Sequence, residues 1–74
     1  MFTKELTQAG HVRRFTIREA TRGRGWEVRE EQDSEVVRRV CYDDWHRVER
    51  ALHSMRAQVL ELEERGWRPR DVSH

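Results

Sequence analysis

Apolar and polar positions alternate in short runs over the first 42 residues and then change to a helical spacing for the last third of the chain. Residues 12–20 place Phe15 and Ile17 on one side and Arg14, Thr16 and Arg18 on the other, the two-residue period of a strand. Residues 26–32 repeat the pattern, with Trp26 and Val28 against Glu27, Arg29 and Glu31. Between them, Thr21-Arg22-Gly23-Arg24-Gly25 predicts a hairpin loop in which two glycines supply positive φ. Asp33-Ser34 signals a turn into a third strand, 35–42. There Val36, Val40 and Tyr42 fall on one face and Val37, Arg39 and Cys41 on the other. Apolar residues on both faces predict a strand covered twice, central in the sheet or at a dimer seam. Residues 2–7 alternate weakly and read as a short edge strand or a loose arm, ended by Ala9-Gly10.

From Trp45 the apolar steps are three, four, three, four and three: Trp45, Val48, Leu52, Met55, Val59, Leu62. This is one narrow stripe on a helix. Asp43 or Asp44 can cap its first free N–H groups. Gly66 fits the left-handed position that ends it near Arg65, Trp67 fits the hydrophobic contact back onto Leu62, and Pro69 forbids resumption. The expectation is an α+β domain over residues 1–68: an antiparallel sheet of three or four strands, then one long C-terminal helix packed on one face. Residues 69–74 read as a frayed tail.

Length limits what such a domain can bury. With 74 residues, 39% charged and 35% hydrophobic, it covers only about 60% of its unfolded surface on folding. A single cysteine, Cys41, excludes an internal disulfide, and no Cys/His cluster offers a structural zinc site. One helix also leaves a sheet face uncovered. Self-association remedies both, so a homodimer is the expected state. No leader-like N-terminus and no apolar run near 18 residues is present. With its free cysteine, the chain reads as a soluble cytoplasmic protein outside the membrane.

Net charge is only +1, but it is uneven. Residues 11–29 carry six arginines against Glu19 and Glu27, whereas residues 43–74 carry six against seven acids. All basic residues but Lys4 are arginine, the side chain suited to phosphate and to stacking. An arginine-lined sheet face with a neighbouring aromatic ring can hold single strands. Cross-strand pairing with Glu19, Glu27 and Glu31 is the competing reading, and it leaves only the loop Arg22-Gly-Arg24 without nearby acids.

Two other constellations carry less. His46, Glu49 and His53 lie on one helix face, but the histidines are two turns apart and cannot share an ion; capping and charge pairing account for them. Cys41 reads as a small buried residue. No nucleophile triad, glycine-rich phosphate loop or paired carboxylate site occurs. The chain therefore reads as a binding protein that is no enzyme and takes neither cofactor, metal nor small-molecule substrate.

Arg13-Arg14-Phe15-Thr16-Ile17, followed by Gly23-Arg24-Gly25-Trp26-Glu27-Val28, resembles the core hairpin of PUR repeats, the Pur-alpha-like nucleic-acid-binding fold. The order of elements over residues 2–66 is similar as well. The resemblance implies dimerisation through sheet and helix, and binding of single-stranded, purine-rich nucleic acid by Arg13, Arg14, Phe15, Arg24 and Trp26. The acids interleaved on the strands depart from the family pattern. With Arg18 and Arg22 added from the charge distribution, the candidate contact set is Arg13, Arg14, Phe15, Arg18, Arg22, Arg24 and Trp26. The expected function is that of a small dimeric single-stranded DNA- or RNA-binding or regulatory protein. The alternative is a homodimeric interaction module without affinity for nucleic acid.

Overall fold

Four alternating segments pair in sequence to make a meander. The computed structural model describes residues 2–70. Strands β1 (Phe2–Gln8), β2 (His11–Glu19), β3 (Trp26–Gln32) and β4 (Glu35–Tyr42) precede helix α1 (Trp45–Glu64) and a last strand β5 (Arg68–Arg70). The sheet is antiparallel, in the order β4-β3-β2-β1-β5. Among the described residues the fold is thus α+β with a single helix, as the residue pattern predicts, but with five strands in place of three or four. Residues 2–7 belong to a strand and are not a loose arm. Pro69 and Arg70, assigned from sequence to the tail, lie in β5, where Arg70 pairs with Glu5 and Pro69 with Leu6. Residues 71–74 of that tail lie outside the described residues. The proline fits because β5 is an edge strand that need not donate on both sides.

The helix starts at the β4 edge and delivers the chain to the opposite edge of the sheet. Its 20 residues span about 30 Å, enough to cross strands spaced about 4.8 Å apart. Leu6, Phe15, Ile17 and Val28 of the sheet pack against Val48, Met55, Val59 and Leu62 of the helix, all buried. Phe15 is 0% exposed. Phe2, Trp26, Tyr42, Ala51, Leu52 and Trp67 close the margin of this core. Trp45, first in the predicted stripe, stays 42% exposed, its ring centroid 5.1 Å from that of Trp26. Among the described residues no helix is long and apolar enough to cross a membrane.

Both helix ends follow the sequence signals. Asp44 is the N-cap, and its Oδ1 accepts from the His46 amide at 2.9 Å. At the other end Gly66 has φ +101°. The amides of Gly66 and Trp67 donate to the carbonyls of Glu63 and Leu62 at 3.1 and 3.0 Å. Those two bonds form a Schellman motif, and Trp67 packs on the core that contains Leu62.

Strand β4 differs most from expectation. It is an edge strand, not a central one, and every residue from Glu35 to Arg39 is exposed. A bulge interrupts its pairing with β3: Glu30 is opposite Arg38, but Glu31 is opposite Val36. The extra residue shifts the side-chain alternation, so Val36 leaves the face of Val40 and Tyr42 and joins that of Glu31. Val36 and Val37 end 50% and 59% exposed. Cys41 is exposed as well, on the open face.

The glycines differ in what surrounds them. At Gly25, φ is +100° and a Cβ would collide with the carbonyl oxygen of Tyr42 and crowd the backbone of Asp43. At Gly66 a Cβ would meet only the end of the Gln8 side chain, at 2.9 Å. At Gly23 it would meet nothing within 4 Å. Gly66→Ala is therefore expected to cost about 1 kcal/mol, the penalty of a left-handed backbone. Gly25→Ala should cost clearly more, because backbone has to move, and Gly23→Ala no more than Gly66→Ala. Urea denaturation of the three variants measures this order.

Candidate nucleic-acid interface

Alternation along β2 and β3 divides the candidate residues between the two faces of the sheet. Arg14 and Arg18 lie on the open face, whereas Arg13, Phe15 and Trp26 lie on the helix face. Phe15 is sealed in the core and offers no ring to a base. The Arg13 guanidinium lies over the Phe15 ring, 5.5 Å from its centroid. Trp26 packs against the core and Trp45, and its indole N–H is buried without a hydrogen-bond partner. The open face therefore carries arginines without the aromatic partners that stacking requires.

Those arginines are also occupied. Glu27, 5% exposed on the open face near the start of β3, takes the Arg18 Nε and the Arg29 Nη2 on Oε1, each at 3.1 Å, and the Arg39 Nε on Oε2. Glu5 draws in Arg14 at 3.7 Å and Arg70 at 3.3 Å. Register places Arg18 directly opposite Glu27, and Arg14 and Arg70 on either side of Glu5. Arg29 pairs with Glu27 as its spacing suggests. Arg14 pairs with Glu5 across the β1–β2 ladder, rather than with an acid of β3.

The chemistry of Glu27 follows from this crowding. The bond from Arg39 is the largest influence and holds its carboxyl below the ordinary carboxylate range. Burial opposes that shift, and the charge of Arg29 and the bond from Arg18 add to it. A second lowered carboxyl, Asp33, sits at the turn between β3 and β4. It accepts from the Val12 amide at 2.9 Å, which contributes most to its shift, and lies 3.0 Å from His11 Nδ1.

Arg22 and Arg24 differ from the strand arginines. Both are exposed in the β2–β3 loop, and among the described residues neither has a carboxylate within ion-pair distance. The loop is closed by the Ala20 amide donating to the Gly25 carbonyl at 3.0 Å. Its Gly25 lies against Tyr42 and Asp43, so the loop sits at the corner where β4 turns into α1.

That corner leads into a groove that the sequence expectations do not include. Val28, Arg38, Tyr42, Arg47, Arg50, Ala51, Ser54, Met55 and Gln58 line it, with a volume of about 440 Å³. The helix side shows a spacing signal, since Arg47, Arg50, Ser54 and Gln58 follow one another at three or four residues beside the apolar stripe. On the neighbouring face of the helix, beside Arg50 and Ser54, His46 Nδ1 lies 3.7 Å from Glu49 Oε1. Among the described residues no group of three or more His, Cys, Asp or Glu is placed to hold a metal ion. The chain matches no protein-family model, and comparison with curated proteins and with solved structures gives no significant match.

The Glu27 cluster carries a stability prediction. Its folded-state proton affinity lies below the unfolded one, so its stabilisation is complete above the unfolded carboxyl's titration range. It is lost as pH falls through the lower folded value. Urea unfolding followed from neutral pH down to about pH 3 should show stability declining on the acid side. Glu27→Gln should lower stability at pH 7 by about 1–3 kcal/mol, as a hydrogen-bonded charge is removed, and should flatten that acid decline. Asp33→Asn separates the share of the other lowered carboxyl.

Proposed function

We propose that this chain is a small single-stranded nucleic-acid-binding protein, acting as a homodimer, whose contacts are centred on the β2–β3 loop. The observation that supports this reading is the contrast among the arginines. Arg14, Arg18, Arg29 and Arg39 have carboxylate partners, whereas Arg22 and Arg24 stand exposed at a loop tip. A guanidinium already paired with a carboxylate must give up that partner to meet a phosphate, and an unpaired one need not. The resemblance to PUR repeats supports the same class of ligand. The geometry favours a narrower contact set than the family would imply, centred on Arg22 and Arg24, because Phe15 is buried and Trp26 is engaged with the core.

The homodimer is supported by β4. A long edge strand with Val36 and Val37 exposed presents unpaired backbone and apolar surface together, a combination that soluble proteins usually cover. The same edge favours the second reading, a homodimeric interaction module without nucleic-acid affinity. A cytoplasmic location belongs to the proposal, since Cys41 is a free and exposed thiol of the kind reducing compartments maintain.

Titration with labelled single-stranded DNA and RNA at two salt concentrations tests the reading. Arg22→Ala/Arg24→Ala should leave the fold intact, since exposed loop changes cost less than about 0.5 kcal/mol. It should weaken binding and make the slope of log affinity against log salt shallower by about 0.7 for each phosphate that is no longer neutralised. No binding to any single strand at low salt would remove the nucleic-acid reading and leave the interaction module. Sedimentation equilibrium should give twice the chain mass, and a monomer across the micromolar range would remove the dimer.

A further inference from the structure

The groove between β4 and α1 combines features found together at ligand sites. Three guanidinium groups, from Arg38, Arg47 and Arg50, line it, and no carboxylate does. Only Arg38 has an acidic partner, Glu30 Oε2 at 3.4 Å. Arg47 and Arg50 are exposed and, among the described residues, have no carboxylate within ion-pair distance. Cations gathered around one cavity repel one another, and an anion relieves that repulsion. The floor is of another character: Val28 and Met55 belong to the buried core, and Ala51 and Tyr42 pack against it. Ser54 and Gln58 add a hydroxyl and an amide on the helix wall. A volume of about 440 Å³ lies within the usual range of small-molecule pockets, about 300–1,000 Å³.

From this arrangement we infer that the groove is a nucleotide-binding site, with the phosphate held by Arg47 and Arg50 and the ring system laid on the floor of Tyr42, Ala51 and Met55. Arginine on the helix wall supplies forked donors to phosphate oxygens. The apolar floor accepts a flat heterocycle, and Ser54 and Gln58 can hydrogen-bond to it or to the sugar. A free mononucleotide and a nucleotide within a strand share this chemistry. The choice of a nucleotide as carrier of the phosphate rests on the nucleic-acid reading; the site itself rests on residues separate from the loop arginines.

Amide spectra of the full ¹⁵N-labelled chain, recorded at low salt with adenosine monophosphate, inorganic phosphate and a short single-stranded oligothymidylate, test the inference. The expected result is movement of the Tyr42, Arg47, Ala51 and Ser54 amides with a nucleotide, and weaker movement with phosphate alone. Affinity should fall at least about tenfold in Arg47→Ala/Arg50→Ala. Both positions are exposed, so the circular dichroism spectrum should be unchanged; Arg47→Gln/Arg50→Gln keeps the side-chain stems as a second variant with the same expected loss. Response to the mononucleotide assigns the free ligand, and response to the oligonucleotide alone assigns a nucleotide within a strand. No movement of these amides with any probe overturns the inference, as does movement undiminished in both double variants. The two proposals fail separately. Oligonucleotide binding that needs Arg22 and Arg24 but leaves the groove amides still removes the groove and keeps the nucleic-acid reading. A mononucleotide response that needs Arg47 and Arg50, with no binding of any strand, does the reverse.

Discussion

Four side chains of the sheet, Leu6, Phe15, Ile17 and Val28, meet four of the helix, Val48, Met55, Val59 and Leu62, and this single apolar contact holds the domain together. Burying such a side chain fully contributes about 1.5–3 kcal/mol, and a chain this small has no second core to share the load. One helix covers only one face of a five-stranded sheet. The opposite face must be stabilised without apolar burial, and the edges must be managed without neighbours. The lattice of arginine and glutamate on the open face, the exposed edge at β4 and the groove beside α1 all follow from having a single covering element.

Ion pairing on the open face decides which arginines remain available. Glu27 binds three guanidinium groups and Glu5 attracts two more. Pairs between exposed groups contribute little on their own, but Glu27 is buried, and a buried carboxylate has to be satisfied. Its partners are held in place because removing them would leave a charge out of water. Five guanidinium groups on two carboxylates leave that face positive, but its arginines are engaged; arginines without a carboxylate partner stand at its margin, in the β2–β3 loop and on the wall of the groove.

Local signals in the chain carry most of the fold. The alternation around Phe15, Ile17, Trp26 and Val28 needs only the two-residue period, and both helix ends need only Asp44 and Gly66. What was not legible depends on contacts between distant residues. Strand β5 is Arg-Pro-Arg, with no strand propensity in its own right; it forms because the helix ends beside the free edge of β1 and Glu5 meets Arg70. The bulge at Val36 and Val37 is equally hidden, because a run with apolar residues in both phases fits a strand covered on two faces as well as a bulged edge. At the site, the spacing in β2 and β3 suggested that glutamates would neutralise the strand arginines, but not that Glu5 would take Arg14. The site value of Arg47 and Arg50 depends on β4, whose Arg38 and Tyr42 supply the second wall.

Gly25 joins these levels. Its backbone lies so close to Tyr42 that no side chain fits between them, and the loop carrying Arg22 and Arg24 is thereby fixed against the turn into α1. Tyr42 in turn lines the groove of Arg38, Arg47 and Arg50. Arg22 and Arg24, which have no carboxylate partner among the described residues, are therefore brought to the same end of the molecule as Arg47 and Arg50 by a backbone contact rather than by charge, which would drive them apart. The arginine-rich sheet face is the structural part of the protein, and its arginines stabilise a surface the helix cannot cover. Where loop, strand and helix meet, the Gly25–Tyr42 contact fixes the backbone while the guanidinium groups stay exposed, so an anion would have to order side chains but not the main chain that carries them.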